Sequence, residues 1–151
     1  MHTDSLIFNL IKEMMRKKGW MDLPADGVSM YPLIRKGDIC RFVPCERSMI
    51  KKGDIILFQA SGGGLVAHRL LKTISNHNQV DYLFKGDTNL GLDEPVSYEK
   101  IVGKLTSIQK GKRAIEATNV SVFLWCRLIL FCPFMSVLLR TYLNNKEAKE
   151  L

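Results

Sequence analysis

The chain has 151 residues, enough for one domain with a core of its own and too few for two. Hydrophobic residues make up 46%, which excludes a disordered chain, and the net charge of +7 (pI about 9.3) favours anionic partners, either nucleic acid or an acidic membrane face. Four cysteines, at 40, 45, 126 and 132, lack CxxC spacing and the histidines of a zinc site, so packed, reduced thiols are expected and no motif calls for a metal or cofactor.

Residues 4 to 18 read as an amphipathic helix with Leu6, Ile7, Leu10, Ile11, Met14 and Met15 as its stripe. Asp4 or Ser5 caps its start, Lys12, Arg16, Lys17 and Lys18 crowd its later turns, and Gly19 ends it. A stripe is not an unbroken apolar run, so neither a secretory signal peptide nor a spanning helix is expected here. The apolar face either packs on the domain or lies on lipid. From Met30 to Gln109 short strands alternate with turns, and strands are expected at 39–43, 54–59, 65–73, 79–85 and 101–109. Lys-Gly-Asp recurs at 36–38, 52–54 and 85–87 and reads as similar tight turns, not as a duplicated unit. Ser61-Gly62-Gly63-Gly64 reads as a hairpin loop; no Lys-Ser/Thr follows, so it is not a phosphate cradle.

Residues 120–143 are long and apolar enough to cross a bilayer, but Arg127 sits inside the run, Pro133 interrupts it and Arg140 lies near its end. A central arginine costs an inserted helix ~3 kcal/mol. Three placements stay open: a bent helix on or re-entering a membrane surface, a helix packed on the domain, and a true span. The tail from Asn144 is charged and expected to be loose.

Three residues in order carry chemistry. Ser29 lies in Gly27-Val28-Ser29-Met30-Tyr31-Pro32, where Pro24 and Gly27 break any helix and expose the hydroxyl on a turn. Backbone N–H groups at Ser29 and its neighbours Gly27, Val28 and Met30 are the candidates to contact a substrate carbonyl oxygen. His68 lies on a strand, on one face with Val66 and Leu70 while Arg69 points the other way, a packed setting that suits a general base. Asp87 and Asp93 follow a further strand, and either could bond the imidazole. A turn serine, a core histidine and two turn acids would be unremarkable singly; together they are the parts of a nucleophilic hydrolase. His2 and His77 stand in polar stretches and receive no role.

These motifs resemble the S26 signal peptidase family, in its archaeal and endoplasmic-reticulum (Ser/His) subtype. Ser29-Met30-Tyr31-Pro32 matches its Ser-Met-x-Pro box, Gly53-Asp54-Ile55 its Gly-Asp-Ile box, and His68-Arg69 the pair carrying the base. Lys85-Gly86-Asp87 with Asn89, and Asp93 six residues after Asp87, match the acid box; Val102-Gly103-Lys104 matches the closing strand. The likeness covers residues 25 to 106. It implies a mainly β fold of coiled, barrel-like antiparallel sheets; the pattern along the chain places an N-terminal amphipathic helix at 1–20, the peptidase domain at 21–115 and an apolar helical segment and charged tail at 116–151. It implies Ser29 as nucleophile, His68 as base, Asp93 as the likelier third member and Asp87 as support. The substrate would be an extended peptide with small residues before the cut, and no cofactor would be needed. Gly27 stands where the family often has a serine, and only the short helix precedes the nucleophile, which points to a leader-peptide protease associated with a membrane on its cytoplasmic side, with no specific nucleic-acid partner. The other readings are a self-cleaving regulator, for which ~25 residues before Ser29 leave no room for a helix-turn-helix domain, and an inactive peptide-binding module.

Overall fold

Residues 2–150 are described by the computed structural model, with side chains from residue 5 onward. They form helix α1 (His2–Lys18), strands β1 (Met21–Pro24), β2 (Ile39–Val43), β3 (Ile55–Gln59), β4 (Leu65–Asn76), β5 (Gln79–Lys85), β6 (Val96–Ser97), β7 (Ile101–Lys110) and β8 (Arg113–Glu116), and helices α2 (Val120–Phe131) and α3 (Phe134–Lys149). All pairings are antiparallel. The strand order is β1-β2-β7-β3-β4-β5-β6, with β8 on the C-terminal half of β7. The two ends of that path do not pair, so the sheet is not closed. The register shifts by one residue at Thr106 and Val102 of β7 and at Leu71 of β4, bulges of the kind that bend a strand.

The run Ile55–Phe58 explains how the sheet acquires two apolar faces. Its four residues are all buried, and a strand sends alternate side chains to opposite faces. Ile55 and Leu57 join Phe8, Met15, Met30, Phe42 and Ile108 on one side. Ile56 and Phe58 join Leu70, Tyr82 and Phe84 on the other, where Phe58 stacks on Phe84 at 4.5 Å. Truncating a buried phenylalanine of this kind costs about 3–5 kcal/mol. Burial also pushes the Cys40 thiol up to about 11, so it stays protonated at neutral pH. The four cysteines are free thiols.

The helices depart from the pattern-based expectation in instructive ways. In α1 the inward side chains are Phe8, Ile11 and Met15, whereas Leu6, Ile7, Leu10 and Met14 are more than half exposed. Only part of the expected stripe therefore reaches the core. Residues 120–143 do bend where Pro133 was expected to interrupt them: the chain breaks at Cys132-Pro133 and the two helices meet at 103°. Neither is long and apolar enough to cross a membrane alone, although the bent pair passes that test of length and composition together. Asn119 caps α2, its Oδ1 accepting from the Ser121 N–H at 2.9 Å. The tail expected to be loose from Asn144 continues α3 to Lys149. Ala and Lys in that stretch favour helix, and Lys146 faces Glu150 one turn away at 3.9 Å.

Candidate active site

Ser29 occupies the turn between β1 and β2. The Tyr31 N–H donates to the Val28 carbonyl (3.0 Å) and the Ile34 N–H to the Met30 carbonyl (2.9 Å), which winds the segment tightly. Met30 and Ile34 are driven into the core, leaving Ser29 half-buried at the surface of the turn. A second turn, at 85–89, is clasped to the first. The Thr88 N–H donates to the Ser29 carbonyl (2.9 Å) and the Thr88 hydroxyl to the Val28 carbonyl (3.2 Å). Gly86 permits this approach: a Cβ there would sit 3.0 Å from the Ser29 Cβ and 2.7 Å from the Asn89 side-chain nitrogen.

His68 comes in from β4, opposite Ile56 of β3, and is 6% exposed. The Phe58 ring stands edge-on to the imidazole at 6.2 Å. His68 Nε2 lies 3.1 Å from Ser29 Oγ, and His68 Nδ1 lies 2.6 Å from Asp93 Oδ2. Asp93 is placed by its own N–H, which donates to the Phe84 carbonyl at 2.9 Å. With a proton on Nδ1 directed at the carboxylate, Nε2 is left to accept the serine O–H. The three residues thus form a continuous hydroxyl–imidazole–carboxylate chain.

Asp87 is elsewhere, and its place among the catalytic candidates needs correcting. Its oxygens accept from Arg69 Nε (2.8 Å), Arg69 Nη2 (2.7 Å) and the Trp125 indole N–H (2.9 Å). Arg69 Nη1 donates to the Gly53 carbonyl (3.0 Å). Arg69 does point away from His68 as alternation required, but it enters the protein beneath α2 and is 2% exposed. Burial opposes its charge; the paired hydrogen bonds it donates to Asp87, with that carboxylate's charge, outweigh this and hold its pKa above the ordinary value. Gly53, at φ +93°, lets α2 settle here, because a Cβ would lie 2.6 Å from Cys126 Sγ.

Several contributors were not singled out in the sequence. Arg140 of α3 donates to the Thr88 carbonyl and to Asn89 Oδ1, both at 3.2 Å. Lys85 reaches Ser136 (3.0 Å), and Tyr142 stacks on Tyr31 at 6.1 Å. The pair α2–α3 therefore grips both turns of the site. A lone indole in an aliphatic run was a usable signal, because a buried Trp N–H needs an acceptor.

A groove of about 580 Å³ opens beside the hydroxyl. Residues 23–27 and 65–68 form its walls, Met30 and Leu57 contribute to its lining, and Asn89 borders it. Of the proposed oxyanion contributors, Gly27, Ser29 and Met30 border the groove, and the Ser29 N–H makes no hydrogen bond among the described residues. Val28 does not border it; its carbonyl holds the turn by accepting from the Tyr31 N–H and the Thr88 hydroxyl. β1 pairs only with β2, and residues 65–68 of β4 pair only with β3, so both walls present an unpaired strand edge among the described residues. No family model matches this chain, and no curated protein does.

Proposed function

We propose that the chain is a serine endopeptidase of the signal-peptidase type, which removes a leader or signal segment from an extended peptide. The observation that carries this reading is the Ser29–His68–Asp93 chain, with links of 3.1 and 2.6 Å, opening onto an apolar groove. Ser29 Oγ attacks the scissile carbonyl as its proton passes to His68 Nε2, and Asp93 stabilises the imidazolium. The Ser29 N–H receives the developing oxyanion. Collapse breaks the C–N bond, His68 returns the proton to the leaving amine, and water then releases the acyl group from Ser29 by the reverse sequence.

The two free strand edges support substrate binding by strand addition, with the peptide extended between residues 23–27 and 65–68. The S26 resemblance implies small side chains next to the cut, which the apolar lining can accept. The bulged antiparallel sheet is consistent with the coiled, barrel-like arrangement that the S26 resemblance implies. The same resemblance favours work at a membrane.

Cleavage of a peptide library with alanine before the scissile bond, followed by mass spectrometry, tests the proposal. The native chain should cut after small residues, and Ser29→Ala and His68→Ala should each abolish cutting while leaving the circular dichroism unchanged. Undiminished cleavage by the Ser29→Ala protein would refute it. Groove binding without cleavage by the native chain would mark an inactive peptide-binding module instead.

A further inference from the structure

The outward face of α2–α3 has the wrong chemistry for water. On α2 the exposed positions Val120, Phe123, Leu124, Leu128 and Phe131 recur at the spacing of one helical face, with Arg127 among them. On α3 the exposed Phe134, Val137 and Leu138 do the same, while Tyr142 turns to Tyr31. The opposite faces are already engaged: Trp125 bonds Asp87, and Arg140 bonds Thr88 and Asn89. Both helices grip one short segment, so both outward stripes look away from it. Eight large apolar side chains between 45% and 75% exposed are more than an isolated soluble domain ordinarily leaves to water.

We infer that this face lies on an anionic lipid surface, with the two helices in the plane of the interface. The distribution of charge selects that occupant. Neither helix has an acidic residue before Glu147. Arg127 sits within the stripe, 5.4 Å from the rings of Phe123 and of Phe131, and has no ion-pair partner among the described residues. A second copy packed on this face would bury that guanidinium against a surface with no carboxylate, which is costly. Lipid phosphates supply the missing anion. Beside Arg127 a cleft of about 650 Å³ is lined by Lys51 and Lys52 as well as by Phe123 and Phe131. It offers a headgroup cations and an acyl chain rings. The 103° bend argues against a straight crossing and suits a helix pair that stays at one depth. The inference does not depend on the protease reading.

Vesicle flotation with the full chain tests it. The probes are vesicles of phosphatidylcholine alone and of an equal mixture with phosphatidylglycerol. Binding to the mixed vesicles should be at least ~10-fold tighter at low salt and should weaken as salt is added. Arg127→Gln should lose about fivefold on mixed vesicles and little on neutral ones. Phe131→Asp and Leu138→Asp, on separate helices and both exposed, should each abolish flotation with an unchanged circular dichroism spectrum; Ser29→Ala should float as the native chain does. Three results would overturn the inference: no flotation of the native chain, equal binding to both vesicle types, or retention in the membrane through alkaline carbonate washing. A dimer in lipid-free buffer that Phe131→Asp dissociates, without vesicle binding, would assign the face to a second copy and equally overturn it.

Discussion

Asp87 and Asp93 illustrate how far a pair of similar residues can diverge. Both follow β5, six positions apart, and nothing local distinguishes them as partners for an imidazole. The decision is made across the sheet. Arg69 needs a buried counter-charge and takes Asp87, so Asp93 is left for His68. Their variants should therefore fail differently. Asp93→Asn should lower kcat by roughly 10³- to 10⁴-fold, as the loss of the orienting acid does in serine hydrolases, with little change in Tm. Asp87→Asn should leave Arg69 charged, buried and half-partnered, and lose several degrees of Tm; breaking such a pair costs about 3–5 kcal/mol. Thermal melts and single-turnover kinetics on both variants separate the two roles. Ser29 and His68 were legible because each sits in a short context that suits its chemistry. The resemblance, more than spacing, favoured Asp93.

Strands with a strong apolar pattern were readable: those at 39–43 and 79–85 have the expected bounds, and β3 and β7 differ by one residue at an end. β1, β6 and β8 were not foreseen. Each has only two to four residues, too few for alternation to register, and each exists because a longer neighbour offers it an edge. The helices α2 and α3 were legible as apolar but not as a brace on the site, since that depends on which face meets the sheet. Arg140 is the clearest part of that brace. It touches neither Ser29 nor His68 in any hydrogen bond, but it holds Thr88 and Asn89, and Thr88 holds the Ser29 turn. Arg140→Leu should lower kcat on the order of 10-fold with a smaller effect on KM, because small displacements of a nucleophile are expensive. A normal kcat in a folded Arg140→Leu protein would show that the turn holds itself.

The parts assemble around a division of faces. One side of the bent sheet, together with the β1–β2 turn, forms the groove and its hydroxyl; α2–α3 close over the Arg69–Asp87 pair and keep an apolar surface outward. The +7 charge could have pointed to nucleic acid, but Arg127 lies among apolar side chains on an acid-free helical face, which is where a membrane surface would use it. Peptide groove and lipid-facing helices would then act on substrates held near the interface. All of this requires Ser29 to be a nucleophile and not a turn serine. An acylating or phosphonylating serine probe, followed by peptide mapping, tests that requirement most directly. The account predicts a single adduct on Ser29 that is lost in His68→Ala although the hydroxyl remains. An unmodified Ser29 in the folded native chain, or equal labelling with and without His68, would contradict it.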